Sequence, residues 1–435
     1  MKSLSVYYEI AYAAASKRLC LFTGTGFSKA ITNNAAPSWQ ELLEKLCDLT
    51  SDPASLKDAL FPPGLPRVLG LEEAAQVIDL ELRKVDKMIH NEIATIISRL
   101  TVSGDNEVIS QFLQNNHLEV VTTNYDKLLE RLVGEQCRSL APGVPVPRSD
   151  SQVKVHHVHG SVDSPLHMVV TSEDYFKFLH AESYFSRKLS TVLHENTVVI
   201  LGYSLGDTNL KSILNEYRGF ARSHAIASNL FLVSRSAVSQ HVKDYYFHCY
   251  GVRVLDNTEV HGFFRSLNSM MPVVTPVIST SLANLQVILG RQGVYTPAYL
   301  RSSNSFYQII CSFSALGLPI NHAAVVRSIG SLIQTKHDLT LENGAWDQYT
   351  QMANWLIYLG SILEIEGTAI QEIFLAAVHR SMSTMTSAQV YGYSWHAFAA
   401  WRDNWKTITY SNRLMIKRYV TQNFPLGDPL LVVNQ

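Results

Sequence analysis

The stretch from Leu19 to Ser28, LCLFTGTGFS, most constrains the fold, because a short apolar run leads directly into a glycine turn. Consecutive apolar residues without polar alternation are typical of a strand that is covered on both faces in a parallel sheet. Gly24 and Gly26 let the backbone turn sharply and approach a ligand, while the first amides of a following helix point towards it. The stretch therefore predicts a strand, a phosphate-binding turn and a helix, although glycine pairs after strands also form turns that bind nothing.

Strand and helix signals alternate over the first 270 residues. HLEVVTTNYD at 117–126 predicts a second apolar strand that ends in polar residues, and further strands are predicted at 153–159, 167–170, 197–202, 229–234 and 252–255. Helices are predicted at 1–17, from Ser38 with a Ser38/Glu41 capping box, and at 71–100, 173–194, 207–220, 237–248 and 260–270, with a surface loop at 51–70. This alternation predicts an α/β fold: a Rossmann-like, mostly parallel sheet with helices on both faces and a ligand crevice at the carboxyl ends of the strands.

The character of the sequence changes at Met271, where PVVTPVISTS is typical of a linker. No strand is predicted beyond it. Apolar residues at helical spacing form one stripe: Tyr349, Met352, Leu356, Leu359 and Leu363. Five of the six tryptophans lie beyond residue 340, which gives this region the means to build its own core. We therefore predict two domains, 1–274 and 275–435, the second an all-helical domain for assembly or partner binding.

Composition excludes some classes of protein. The chain has 36 Lys and Arg against 37 Asp and Glu, so no global charge attracts it to nucleic acid or to an anionic membrane. Its five cysteines are far apart and predict neither a disulfide framework nor a zinc ribbon. Because no segment reaches ~18 uninterrupted apolar residues and MKSLSVYYEI lacks an apolar core, we expect neither a membrane span nor a signal peptide. These observations predict a soluble, cytoplasmic protein.

Four motifs follow one another along the first domain: GTGFS at 24–28, TTNYD at 122–126, HVHG at 157–160 and LGYSLGD at 201–207. In content and order, over roughly residues 15 to 270, they resemble the sirtuin-like NAD-binding fold. The resemblance implies that NAD+ binds as substrate, and that the catalytic residues are Asn124, Asp126 and His159. It also implies a set of cofactor-binding residues: Gly24, Thr25, Gly26, Phe27, Ser28, Thr123, Gly202, Tyr203 and Ser204. After the strand FLVS we add Ser234 and Arg235, the latter as the group to expect beside a 2′-phosphate.

The sequence also departs from the sirtuin pattern. No four-cysteine zinc module lies between His159 and Gly202, NNAAPSWQELL replaces the segment after the glycine turn, and Thr123 stands where the family has glutamine. These departures favour hydrolysis of NAD+ over protein deacylation. TSEDYFKFL at 171–179 and GYSLGDTNL at 202–210 look like the bacterial sirtuin-like effectors that degrade NAD+ in antiphage defence. That resemblance implies a regulated NAD+ hydrolase that forms a homo-oligomer, with a hexameric ATPase or another defence protein as a possible partner.

The predicted chemistry needs few groups. Nicotinamide leaves the ribose as a neutral ring, so cleavage requires no general acid, unlike ordinary glycosidases. The Asn124 amide can position a water or a ribose hydroxyl, and the His159 imidazole can accept its proton near neutral pH. Asp126 would orient the loop or stabilise the developing positive charge.

Simpler interpretations remain open. Asn124 and Asp126 could cap the helix that starts near Lys127, and the Gly202 turn could be an ordinary turn. His159 could be a structural residue. The histidines of HHVH could instead bind zinc, although strand alternation puts His156 on the opposite face of the strand from His157 and His159. The aromatic stripes of the second domain could line a partner groove instead of a core. Other possible functions are an NAD-dependent protein deacylase or ADP-ribosyltransferase, and a non-catalytic sensor of NAD or ADP-ribose.

Overall fold

The computed structural model describes residues 2–145, 150–180, 184–204, 211, 214, 229–291, 293–318 and 322–435. Seven strands form one sheet: β1 (Leu19–Thr23), β2 (Leu118–Thr122), β3 (Cys137–Leu140), β4 (Val153–His157), β5 (Thr197–Leu201), β6 (Leu230–Val233) and β7 (Val252–Leu255). The strand order is β3-β4-β2-β1-β5-β6-β7, and every neighbouring pair is parallel. The predicted Rossmann-like α/β class is confirmed.

The topology determines where a ligand can bind. The chain runs from β1 to β2, β3 and β4 on one side and then crosses to β5 on the other side of β1. In open parallel sheets, the crevice beyond the carboxyl ends of the strands at such a reversal is the usual ligand site. Here the reversal lies between β1 and β5, the strands that lead into the two glycine turns.

The described part of the first 274 residues also contains helices, and those between residues 39 and 97 form an apolar cluster of their own. The helices are α1 (Lys2–Ala15), α2 (Thr25–Ile31), α3 (Trp39–Cys47), α4 (Pro53–Leu60), α5 (Leu71–Arg83), α6 (Ile89–Ile97), α7 (Glu107–Asn115), α8 (Leu128–Val133), α9 (Ser172–His180), α10 (Tyr184–Glu195), α11 (Gln240–Tyr250) and α12 (Val260–Val274). The predicted capping box is present at the start of α3, where the Glu41 amide donates to Ser38 Oγ at 3.3 Å and the Ser38 amide donates to Glu41 Oε2.

Among the helices, the structure corrects one local prediction and adds detail to others. Residues 51–70 contain helix α4, which begins with Pro53 at its first position and is capped by Asp52. The helical pattern predicted over 71–100 is confirmed, and it forms two helices, α5 and α6, with Asp86 between them at a φ of 55°. The helix predicted at 173–194 is described as α9 and α10, and residues 181–183 between them lie outside the described residues. The one predicted at 207–220 lies almost entirely outside the described residues.

The strand predicted at 167–170 is also wrong. Pro165–His167 is a short 3₁₀ helix, and the residues after it join no strand. Their polar groups are instead bonded to the site loops, since the Val169 amide donates to the His159 carbonyl at 2.9 Å and the Tyr125 hydroxyl donates to the Val169 carbonyl at 2.6 Å. The segment therefore supports the site rather than the sheet.

The region after residue 274 consists of helices joined by loops in its described residues, and the predicted linker itself forms helix. The helices are α13 (Ile278–Arg291), α14 (Pro297–Leu300), α15 (Ser305–Ala315), α16 (Ala323–Leu339), α17 (Trp346–Ile362), α18 (Gln371–Ser383), α19 (Trp395–Asn404), α20 (Tyr410–Asn423) and α21 (Asp428–Val433), with 3₁₀ turns at Thr275–Val277 and Trp405–Thr407. One apolar core joins them, and it includes Phe306 stacked on Trp355 with ring centroids 4.5 Å apart. The domain boundary itself stays a prediction.

Polar contacts tie the helical region to the sheet layer. Tyr12 and Ser312 share a hydrogen bond of 2.6 Å, and Arg413 forms an ion pair with Asp244. One helical run, Val260–Gly290, is long and apolar enough to cross a membrane by length and composition. Its first part packs Phe263 into the core beneath the sheet, so the run serves at least partly as a core helix.

Candidate active site

The two glycine turns pack against each other backbone to backbone. The Gly24 amide donates to the Leu201 carbonyl at 2.9 Å, and the Gly26 amide donates to the Gly202 carbonyl at 3.0 Å. A Cβ on Gly26 would lie 2.8 Å from Gly202 Cα, and one on Gly202, whose φ is +76°, would lie 2.2 Å from the Phe27 nitrogen. Close packing alone therefore requires glycine at these positions, while their contact with a pyrophosphate stays a prediction.

A hydrogen bond spans the end of β1. The Thr123 hydroxyl, after β2, lies 2.6 Å from the hydroxyl of Tyr203, which follows β5. The Tyr203 ring also packs near Phe22, with centroids 5.1 Å apart, and lies so close to Gly24 that a Cβ there would meet it at 2.7 Å. Tyr203 thus joins the three strand ends at the switch point.

Ser28, at the buried side of α2, links the two predicted catalytic residues of the TTNYD segment. Its hydroxyl donates to Asp126 Oδ2 at 2.7 Å and accepts from Asn124 Nδ2 at 2.8 Å. Because the single hydroxyl proton goes to the carboxylate, the carboxamide must present its NH₂ group to Ser28. The carboxamide Oδ1 has no hydrogen-bond partner within the described part of the chain, and it remains available as an acceptor.

The loops after β2 and β4 are held together by backbone bonds. Thr122 pairs in register with His157, and the Val158 amide extends the ladder to the Thr122 carbonyl at 3.0 Å. Asn124 and His159 each follow their strand by two residues. The structure therefore brings these two predicted residues to adjacent loops at the same edge of the sheet.

His159 is almost fully buried, with 5% of its surface exposed. Its ring makes edge contacts with Tyr175 and Phe178 of α9, with centroids 5.3 and 5.2 Å away. Burial lowers the pKa of His159 to about 4, because the charged imidazolium loses its solvation. The ring is therefore neutral at physiological pH, and the same desolvation makes it a weaker base than a solvated imidazole.

Asp126 has two separate contacts. Besides Ser28, it accepts the Leu128 amide at 3.1 Å, so part of the helix-capping interpretation is correct for this residue. Burial raises the pKa of Asp126 above its ordinary value, and these two hydrogen bonds and the charge of His157 offset only part of that rise. Asn124 caps no helix, because its side chain is bonded to Ser28.

The remaining predicted binding residues are more scattered. Thr25 is half-buried at the start of α2, and Ser204 is exposed after the second glycine turn. The Phe27 ring is buried against Phe264 in the core, so only its backbone faces the crevice. Ser234 and the exposed Arg235 follow β6, one strand beyond β5.

The histidine cluster does not form a metal site in the described residues. His157 is occupied by two other contacts: Nδ1 lies 2.9 Å from the Asn124 carbonyl, and Nε2 lies 2.7 Å from Glu130 Oε1. His156 lies nearest to Glu119, 3.7 Å away. No group of three potential metal ligands occurs within the described ranges.

Sequence reasoning missed the linking role of Ser28, the Thr123–Tyr203 bond, and the contacts of His157 and Glu130. The residue spacing contains no signal for them, since each depends on which strands are neighbours. Only strand alternation within HVHG indicated that the side chains of His157 and His159 lie on the same face of the strand.

Comparison with known proteins gives three relevant similarities. Residues 118–255 match the model of a family described as SIR2-like domain. Defense-associated sirtuin 2 of Bacillus subtilis is 23% identical over 259 residues, which is 57% of this chain and 24% of that protein. NAD(+) hydrolase ThsA of Enterococcus faecium is 25% identical over 219 residues, 47% of this chain and 41% of the relative. ThsA of Bacillus cereus (strain MSX-D12) is 31% identical over 102 residues, 22% of this chain and 21% of the relative.

The chain thus spans less than half the length of each of these relatives. The SIR2-like match covers β2 to β7, which include the loops that carry Asn124, His159 and Gly202. The first glycine turn lies outside the match and joins the same site through its contacts with Gly202 and Asn124. The resemblance predicted from the four motifs is supported over this segment: residues 118–255 are similar to the SIR2-like family.

Proposed function

We propose that the chain hydrolyses NAD+ to nicotinamide and ADP-ribose, and that it acts as a regulated effector in antiphage defence. The observation that carries the proposal is the meeting of the Gly24 turn, the Asn124 carboxamide and the His159 loop at one edge of the sheet. Relatives named as NAD(+) hydrolases and as a defence-associated sirtuin support it.

The geometry suggests a division of tasks. NAD+ would lie across the β1/β5 crevice, with its pyrophosphate near the glycine turn and its nicotinamide ribose near Asn124. Asn124 Oδ1, free while Nδ2 is bonded to Ser28, would accept a hydrogen bond from a water or a ribose hydroxyl. The neutral His159 would take the proton as the C–N bond breaks, and nicotinamide would leave uncharged.

Asp126 would act electrostatically. An oxocarbenium-like transition state carries positive charge on the ribose, and a carboxylate nearby stabilises it in a site of low dielectric. The bond from Ser28 fixes this carboxylate beside Asn124. The Asn124 carboxamide and the Asp126 carboxylate would therefore both be held in place by Ser28.

The test is nicotinamide release from NAD+, measured with the purified full chain and in cells after phage infection. Replacing Asn124 or His159 with alanine should lower the rate of nicotinamide release by at least ~10²-fold, which is the usual contribution of a positioned general base to the reaction rate. His337→Ala is the matched control, since His337 lies on α16 in the helical region. Equal release by all four proteins, all folded, would refute the proposal.

Two other outcomes would assign a different function. Acetylated ADP-ribose formed from an acetyl-lysine peptide would identify a deacylase. A melting shift with NAD+ and no nicotinamide in either setting would identify a sensor.

A further inference from the structure

A chain of charged groups lies directly behind the candidate active site, and no role has been assigned to it. Its centre is His157, at the end of β4, with 1% of its surface exposed. The ring has a carbonyl on one side and a carboxylate on the other: Asn124 O at 2.9 Å from Nδ1, and Glu130 Oε1 at 2.7 Å from Nε2. Both partners are acceptors, so both ring nitrogens must donate.

Glu130 is suited to be the anion of this pair. Burial raises its pKa, but the hydrogen bond and charge of His157 and the contacts of Lys127 outweigh burial and lower the pKa to about 2. Lys127 Nζ lies 3.0 Å from Glu130 Oε1 and 2.8 Å from Asp163 Oδ2. Positive and negative groups therefore alternate outward from the site.

The position of His157 connects this chain to the predicted catalytic groups. Its Nδ1 contact is with the backbone of Asn124, whose side chain bonds Ser28, which in turn bonds Asp126. The charge of His157 also offsets part of the rise that burial causes in the pKa of Asp126. One cation would thus fix the Asn124 loop and favour the ionised carboxylate.

We propose that His157 is a positioning residue, held as an imidazolium between Glu130 and the Asn124 carbonyl, which orients the Asn124 carboxamide for NAD+ cleavage. The inference rests on the proposed function for its effect on catalysis, whereas the charge state of His157 can be measured without it. His157 touches no substrate in this arrangement and acts only through Asn124 and Asp126.

Any pH dependence must consider every titratable group around the ring. These are Glu130 and Lys127 from the start of α8, Asp126 from the β2 loop, Asp163 beyond Lys127, Cys137 of β3 and the neighbouring His156. Burial raises the pKa of Cys137 and lowers that of His156 to about 4, so both are neutral near pH 7. Glu130 is therefore the group whose removal most directly weakens the imidazolium.

The experiment uses the full chain and three variants. His157→Gln can make only one of the two donations, and it should lower kcat for nicotinamide release on the order of 10²-fold with little change in KM. Glu130→Gln keeps an acceptor for Nε2 but removes the charge, so its activity should fall about tenfold between pH 6 and 8 while the wild type keeps its activity. Asp163→Asn, the matched control, removes the outer partner of Lys127 and should keep the wild-type pH profile.

A second measurement is independent of catalysis. Histidine-specific ¹³C labelling, with the His157 signal assigned through its absence in His157→Gln, should report a doubly protonated ring at pH 7.5 in the wild type and a neutral ring in Glu130→Gln. A neutral His157 in the wild type, or identical activity profiles for wild type and Glu130→Gln, would overturn the inference. A wild type that cleaves no NAD+ but holds a charged His157 would instead overturn the proposed function.

Discussion

Replacing His159 with phenylalanine would test how strongly the site opposes protonation of this imidazole. The ring lies between Tyr175 and Phe178, and burial lowers its pKa from 6.5 to about 4. Phenylalanine has a similar shape, fits among these rings and does not titrate. The comparison therefore isolates the cost of charging one side chain.

The direction in which pH changes the free energy of unfolding follows from proton binding in the folded and unfolded chains. Between pH 6.5 and 4 the unfolded chain binds a proton at His159 and the folded chain does not, so acidification favours unfolding. This stability is present above pH 6.5 and is lost as the pH falls towards 4. With these two pKa values, the free energy of unfolding falls by about 2 kcal/mol between pH 7 and pH 5 because of this residue.

The assay should report on the sheet rather than on the helical region. Urea unfolding followed by pulsed hydrogen exchange can be read in peptides that cover β2 and β4. Between pH 7 and pH 5, the free energy of unfolding of the wild type should fall by about 2 kcal/mol more than that of His159→Phe. His156, whose pKa burial also lowers to about 4, is present in both proteins and cancels. Equal losses in the two proteins would refute the argument that the site holds a neutral, desolvated imidazole.

Three further predictions concern other parts of the chain. Ser28→Ala removes both bonds of the buried hydroxyl and should cost ~1–3 kcal/mol in urea unfolding as well as reduce nicotinamide release; unchanged release would contradict the linking role. Gly202→Ala should lower the melting temperature much more than Gly64→Ala, because both have positive φ but only the first places a Cβ against Phe27; equal shifts would contradict the packing of the two turns. Burial lowers the pKa of Lys336 to about 7, so stability should rise from pH 7 to 9 in wild type and less so in Lys336→Met; parallel pH curves from calorimetry would contradict this.

The features that the sequence predicted well are those in which neighbouring residues determine the outcome. The apolar run at Leu19 forms a buried strand, and Ser38 with Glu41 forms a capping box, because the deciding contacts lie within a few residues. Strand β3 was missed because CRSL sits at the sheet edge with only Leu140 buried, so it lacks the apolar signal of an inner strand. The loop at 167–170 resembled a strand in the sequence because its apolar side chains are buried. They are buried beside the site loops, however, and the segment forms no hydrogen-bonded ladder with the sheet.

The site could be predicted only up to the point where strand order matters. Asn124 and His159 were identified because each belongs to a motif after a strand, and the topology then brings those strand ends together. The bonds of Ser28 depend on β1 lying beside β2, and those of His157 depend on helix α8 packing against β4. Motif spacing cannot encode either arrangement, since the residues involved are up to 98 positions apart.

Two histidines two residues apart, one at the end of β4 and one in the loop after it, illustrate how environment sets chemical role. His157 faces a carboxylate and a carbonyl, both of which accept hydrogen bonds from its ring; His159 faces two aromatic rings, and burial lowers its pKa. The charged ring is suited to fixing a loop, and the neutral ring is suited to accepting a proton. Exchanging the two environments would leave a cation beside a cationic nicotinamide ring and no base, so the proposed chemistry depends on the order of these neighbours as much as on the histidines themselves.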